Sequence, residues 1–323
     1  MKHWSNYWTS SNTLNSFAES DAAKGYTGAI KEYWFNVFSN LKANSRIVDI
    51  GCGNGALACL AVEYSKQHHL NFEVHAIDAA DINPLEALKD NPETLELLQD
   101  ITFHSSCPVE SLPFKAGSVD LFVSQFGFEY ADTKKALQQC HLALLDNGTI
   151  NFLAHHPDSF ISTDSNAGAH LFKTILHNSP LFIQIDLLLD IASQVQTSGQ
   201  YHTWNQNPYN LSISRTIKWI LDKLKSEFSE DKYAAWLQDL FSRVIPVLQN
   251  VGKSEPRSLR NHLSQQFQIL DEHNIRLQEQ INATLTNPKL RSLEKYAKSL
   301  GLTASSSSFL IEHDPFAWSI EIK

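Results

Sequence analysis

The sequence predicts an α/β fold: a mostly parallel sheet that ends in an antiparallel hairpin and is interrupted by a long helical stretch. Three observations point to it. Between residues 46 and 154, short apolar runs alternate with helical patterns, as expected of strands covered on both faces. The first run breaks into a glycine turn, Gly51-Cys-Gly-Asn-Gly55, that feeds a helix. At the end of the chain, two strand patterns are joined only by His313-Asp314-Pro315. So short a link must be antiparallel, because a parallel crossover needs about a dozen residues or more.

The elements follow in order. Residues 1–25 are rich in Ser, Asn and aromatics, and Tyr26 to Leu41 reads as an amphipathic helix. Strands are predicted at 46–50, 72–77, 101–105, 119–124 and 149–154. Helices fall between them at 54–68, at 84–98 with a break at Asn91-Pro92, and at 133–145, stopped by Asp146-Asn147-Gly148. From 157 to 287 the pattern is helical: 167–177, 181–196, 212–228, 231–251 and 256–285, with Pro246 predicting a kink. The loop 197–211 holds Trp204 and Tyr209, which suits either a ligand-facing loop or a surface loop pinned by its aromatics. A last helix, 290–300, closes at Gly301, a good C-cap. The strands 303–312 and 316–322 follow.

Composition narrows the class. With 42% hydrophobic and 19% charged residues, the 323-residue chain is ordinary for a soluble globular protein. A net charge of −9 opposes a general nucleic-acid binder, which needs clustered Lys and Arg. No apolar run approaches the ~18–20 residues of a membrane span, and the N-terminus lacks a signal-peptide core. Cys52, Cys59, Cys107 and Cys140 have no metal or disulfide spacing, so reduced cysteines in the cytoplasm are expected.

The glycine turn is the chemical signal. A strand ending in glycines before a helix presents backbone N–H groups to a polar ligand. Gly51-x-Gly53-x-x-Ala56 formally satisfies the dinucleotide fingerprint. Asp49 inside the strand, Gly55 within the turn and the terminal hairpin point elsewhere.

The run Val48-Asp-Ile-Gly-Cys-Gly-Asn-Gly55 resembles the first motif of the class I S-adenosylmethionine-dependent methyltransferases. Asp78 at the end of the second strand, Glu110-Ser-Leu-Pro-Phe114 with Gly117-Ser-Val-Asp-Leu-Phe-Val-Ser124, Gly148, Gly301 and the aromatic last strand are similar to the same family over residues 26–156 and 290–323. The resemblance implies a seven-stranded Rossmann-like methyltransferase sheet with an α-helical cap insertion, and S-adenosyl-L-methionine as cofactor. It assigns cofactor contacts to Asp49, Gly51, Cys52, Gly53, Gly55, Asp78, Ala79, Pro108, Val109 and Gln125. Asp49 would anchor the turn or meet the ammonium, Asp78 the ribose hydroxyls, and Gln125 the methionyl end. Adenine would lie near Ala79 and the 107–109 loop. There the family commonly has an Asp where this chain has Cys107-Pro108, which leaves a backbone contact at Val109.

On the acceptor side, Gln125-Phe-Gly-Phe-Glu-Tyr130 and His155-His156 follow the fourth and fifth strands, at the carboxyl edge where such folds bind ligands. Phe126, Phe128, Tyr130 and Tyr26 are candidate substrate contacts. His155, His156 and Glu129 are candidate catalytic groups, His for its proton chemistry near neutral pH. Adjacent histidines on an extended chain face opposite sides, so no metal is expected. Tyr7, Trp8 and Tyr26 would either cover the cofactor or staple the N-terminal segment to the core.

The expected organisation is a cofactor-binding core at 1–156 plus 288–323, with 1–25 as a lid segment and 157–287 as a helical insertion for substrate capping, dimerisation or both. The expected function is methyl transfer by in-line displacement to a small or medium organic acceptor, in a monomer or homodimer without nucleic acid. Two alternatives stand beside it: a non-catalytic cofactor-binding or interaction protein on the same fold, and an NAD-dependent oxidoreductase.

Overall fold

Strand β1 (Arg46–Ile50) is buried at every position after Arg46, because Ile47, Val48 and Ile50 leave it no polar face. In the computed structural model, which describes residues 1–16 and 25–323, β1 is an interior strand of a seven-stranded sheet, paired with a parallel strand on each side. Residues 17–24 of the predicted lid segment lie outside the described residues. The other strands are β2 (Glu73–Ile77), β3 (Ile101–His104), β4 (Val119–Gln125), β5 (Leu144–His155), β6 (Ala304–Ile311) and β7 (Asp314–Ile322). Their order is β3-β2-β1-β4-β5-β7-β6. All pairs from β3 to β5 are parallel, and β7 runs antiparallel to both β5 and β6.

Period-two alternation divides the strand side chains between two faces. Ile47, Leu121, Val123 and Leu153 pack with α2 (Gly28–Phe38) and α3 (Ala56–His68), through Trp34, Phe38, Leu57 and Leu60. Val48, Phe122, Ile150, Phe152 and Ile320 share the other core with Leu137 and Cys140 of α6 (Thr133–Ala143) and Leu290 and Leu293 of α12 (Asn287–Ser299). The remaining helices beside this sheet are α1 (Lys2–Ser10), α4 (Pro84–Ala87) and α5 (Pro92–Leu98), the last capped by the Asn91 side chain on Thr94 N–H.

The predicted helix 133–145 ends two residues early, and Leu144 joins β5. Val119 pairs with Leu144 and Leu121 with Thr149, so residues 145–148 form a bulge between them. Gly148 suits its tight return, since a Cβ there would lie 2.7 Å from the Leu144 side chain.

The chain divides into two compact units: residues 1–162 with 282–323, which hold the sheet, and residues 163–281. The second contains most of α7 (Phe160–Lys173), then α8 (Leu181–Thr197), α9 (Pro208–Glu227), α10 (Ala234–Asn250) and α11 (Pro256–Ala283). Its own core is built from Leu171, Phe172, Ile185, Leu189, Leu240 and Leu270. In the predicted aromatic loop, Trp204 is buried and Tyr209 exposed, and the Trp204 carbonyl accepts from Asn210 Nδ2 at 2.8 Å. Among the described residues no single helix is long and apolar enough to cross a membrane; Phe160–Asn178 with Leu181–Thr197 passes by length and composition only as a pair bent by 46°.

Candidate active site

The strand order reverses between β1 and β4, and the carboxyl ends of these two strands form the switch point at which open α/β sheets bind ligands. Two turns meet there. The glycine turn leaves β1 with Gly51, Gly53 and Gly55 all at positive φ, which costs a glycine little. The turn after β4 brings Gly127 against it: a Cβ on Gly51 would lie 2.7 Å from Gly127 Cα. Ser124 ties the pair together, its hydroxyl donating to Ile50 O (2.7 Å) and accepting from Phe128 N–H (2.9 Å).

Two buried carboxylates flank the glycine turn, Asp49 bonded to the helix that follows it and Asp78 to the turn itself. Asp49 Oδ2 accepts from Ala58 N–H in the first turn of α3 at 3.1 Å. Asp78, at the end of β2, accepts from Gly53 N–H (Oδ2) and Ala80 N–H (Oδ1), each at 2.8 Å. Burial raises both carboxyls above their usual range, Asp49 by much the more, while these backbone donors oppose the rise. The backbone adds three bonds: Gly51 and Cys52 N–H donate to Ile77 O, and Cys107 N–H to Asp78 O. Cys52 is buried beside the two acids, and burial first, then their charge, pushes its thiol up. Ala79 is half-buried, Val109 buried and Pro108 exposed at the rim.

Gln125, the last residue of β4, is buried, and its Oε1 accepts from Trp34 Nε1 of α2 at 2.6 Å. That bond orients the amide, and Nε2 is left with no partner among the described residues. Sequence reasoning missed Trp34 as the orienting group, because its spacing reads only as a core position of an amphipathic helix.

The N-terminal segment closes over the turn. Trp8 lies on Gly53 so closely that a Cβ there would meet its ring at 2.4 Å. Asn54 Nδ2 donates to the carbonyls of Thr13 (2.9 Å), Trp8 (3.4 Å) and Ser11 (3.5 Å). Its Oδ1 is buried without a partner among the described residues. Ser5 Oγ accepts from Asp81 N–H, and Trp4 meets Tyr130 edge-on at 5.7 Å. Tyr26 lies near Asp49, whose charge adds to burial in raising its hydroxyl.

The acceptor-side candidates separate. Glu129 and His155 come together: Glu129 Oε1 accepts from the His155 backbone N–H at 2.8 Å and contacts its Nδ1 at 2.7 Å. Phe126 lies 4.4 Å from the His155 ring and Tyr130 5.8 Å, centroid to centroid. Phe128 requires a correction. It is 0% exposed and stacked on Phe152 at 4.6 Å in the α6 core, because the turn after β4 directs it to the opposite sheet face from His155. His156 likewise faces away from His155. It stacks on Trp318 at 4.2 Å, its Nδ1 accepts from Asp158 N–H, and its Nε2 pairs with Ser308 Oγ. Both nitrogens are thereby engaged, Nδ1 by the turn before α7 and Nε2 by β6.

Residues 47–148 match the model of a family described as a methyltransferase domain. No curated protein matches the chain. Among solved structures, geranyl diphosphate C-methyltransferase from Streptomyces coelicolor is 14% identical over 51% of this chain and 70% of its own, with a TM-score of 0.37. An S-adenosylmethionine-dependent methyltransferase from Mesorhizobium loti is 23% identical over 42% of this chain and 57% of its own, with a TM-score of 0.31. A geranyl diphosphate methyltransferase structure with sinefungin is 17% identical over 43% of this chain, with a TM-score of 0.34, and the match spans 51% of that protein's length. The match at 47–148 marks β1 through β4, with the glycine turn, as similar to a methyltransferase domain, within a sheet whose parallel strands are closed by an antiparallel β7.

Proposed function

We propose that this chain transfers a methyl group from S-adenosylmethionine to a small or medium organic acceptor by in-line displacement, with the cofactor seated between the glycine turn and the end of β4. The carrying observation is a pair of buried polar atoms beside that turn, each without a partner among the described residues: the donor Gln125 Nε2 and the acceptor Asn54 Oδ1. Their bonded neighbours fix both amide orientations, so the two leftover atoms are one donor and one acceptor. A zwitterionic methionyl group brings a carboxylate for the first and an ammonium for the second, which fits the residues present. Bound there, S-adenosylmethionine supplies a methyl group activated by a positive sulfur.

The chain's own residues do the rest. Asp49 and Asp78 hold the turn in a fixed shape through backbone donors, so little ordering is left for binding. Each Asp78 oxygen has a further lone pair for a ribose hydroxyl. Fixed geometry matters most here, since alignment supplies roughly 7–11 kcal/mol in well-oriented reactions.

Calorimetry and thermal shift with S-adenosylhomocysteine and with NAD test the reading. The expected outcome is saturable homocysteine-product binding that stabilises the fold by about 2.7 kcal/mol at a hundredfold excess over Kd, with no response to NAD. Stabilisation by NAD alone overturns it. Asp78→Asn is expected to weaken the product's binding by about 1–3 kcal/mol through lost charge-assisted bonds, read by the same calorimetry. Unchanged affinity would remove Asp78 from the site.

A further inference from the structure

Glu129 is 5% exposed and His155 3% exposed, and one carboxylate oxygen serves both the backbone and the ring of His155. The other oxygen, Oε2, has no partner among the described residues. Gln or Ser could accept the backbone N–H without burying a charge, and a buried charge without a cation is costly. Stapling the turn to β5 therefore does not account for a carboxylate here.

The ring contact does, because the imidazolium formed when His155 takes a proton is a cation for this carboxylate to face. An ionised Glu129 only accepts, an arrangement that puts the ring proton on Nδ1 and the lone pair on Nε2. No described residue hydrogen-bonds Nε2, whereas both nitrogens of His156 are engaged. Flat aromatic rings pack about the His155 ring: Phe126 at 4.4 Å, Tyr130 at 5.8 Å, and Phe316 5.5 Å beyond Phe126. Phe126 is held at φ +57°, a left-handed conformation rare for a bulky residue and of the strained kind that clusters at functional sites.

From this juxtaposition we infer that His155, positioned by Glu129, is the general base for an acceptor hydroxyl carried on a planar aromatic frame. The inference rests on the methyltransferase reading above. The acceptor O–H gives its proton to Nε2 as its oxygen bonds the methyl carbon. The carbon–sulfur bond breaks with its electron pair going to sulfur. The products are an aryl methyl ether, the thioether form of the donor, and an imidazolium that returns the proton to water.

The test uses the full chain with a panel of phenols, aliphatic amines and thiols, and the variants His155→Gln, His155→Ala and Glu129→Gln. Phenols are expected to be methylated in preference to amines and thiols. His155→Gln should lower kcat on phenols by about 10²–10⁴-fold, with KM and S-adenosylhomocysteine affinity unchanged. The loss should be greatest for the least acidic phenols, and added imidazole should restore part of the rate to His155→Ala. Independently of turnover, imidazole NMR of the unmodified chain should show His155 protonated at Nδ1, with that resonance shifted or lost in Glu129→Gln. Full activity in His155→Gln, an Nε2-protonated ring, or methylation confined to amines or thiols overturns the base assignment while product binding upholds the cofactor reading. Failure of the product to bind at all overturns both.

Discussion

At the scale of single residues, Gly53 and Asp49 show how a binding turn constrains its own sequence. Gly53 has φ +53°, and the space a side chain would need is filled by Trp8. Gly53→Ala should therefore destabilise the fold by about 1–3 kcal/mol, the usual cost of a strained backbone position. Chemical denaturation should show the lower midpoint, and the Trp fluorescence of the folded state should change as Trp8 moves off the turn. Asp49 makes the opposite case, since removing its charge should help stability. Burial raises its folded-state carboxyl well above the unfolded value. A raised carboxyl favours the folded state fully only below its unfolded value of about 3.9, and that contribution is lost as pH rises through the folded value. Asp49→Asn keeps an acceptor for Ala58 N–H and drops this penalty. Its melting temperature should exceed that of the parent chain at pH 7–8, with the difference shrinking toward pH 4. A residual slope should remain from Asp78, which is raised in the same direction. A variant less stable than the parent at pH 7 would show that the Asp49 charge is satisfied in the fold.

At the scale of elements, strands were legible from sequence because their signal is local, while the parts that build the site are set by tertiary contacts. Strand β1 lies at the predicted residues, and the terminal hairpin β6–β7 pairs antiparallel as its short link requires. Helix α1 was not legible. It has no acid in its first turn, no base in its last and no side-chain cap. Trp8 on Gly53, Ser5 on Asp81 and the Asn54 amide are what hold it, and short helices depend on such packing. The Glu129–His155 pair was hidden in the same way. Each residue stood out alone, yet 26 positions separate them, and only the β4–β5 register, with Gln125 opposite Leu153, brings their turns together. Phe128 misled for the complementary reason, because its neighbours in sequence face the site while it faces the core. The hold on α1 is testable. Asn54→Ala leaves the three carbonyls without their donor, so backbone amides of residues 4–11 should exchange roughly fivefold faster, as expected for about 1 kcal/mol of lost bonding. Amides of β1 and β4 should keep their protection.

At the scale of the whole molecule, one chain carries two compact units, and the second is an insertion into the first. Residues 163–281 leave and return to a unit whose sheet is completed only by β6 and β7, from the far end of the sequence. Two bonds tie the returning segment into that sheet: Leu285 N–H donates to His155 O at 3.1 Å, and Trp318 Nε1 donates to Leu285 O at 2.8 Å. The inserted unit closes on itself near its two ends, where Gln280 Nε2 donates to Ser165 Oγ at 2.8 Å. Insertions whose ends lie close together are tolerated because they burden neither core. Replacing 163–281 with a flexible Gly/Ser linker of about eight residues should therefore leave a folded sheet unit. Circular dichroism should retain the strand signal with a single cooperative melt, and β7 amides should stay protected from exchange. Since the Asp49, Asp78, Gln125 and Asn54 contacts all lie in the sheet unit, the shortened chain should bind S-adenosylhomocysteine within about tenfold of the full chain, a difference of about 1.4 kcal/mol. A shortened chain that folds but loses the product altogether would assign part of the cofactor seat to the inserted helices. One that does not fold would make the two cores interdependent despite their separate packing.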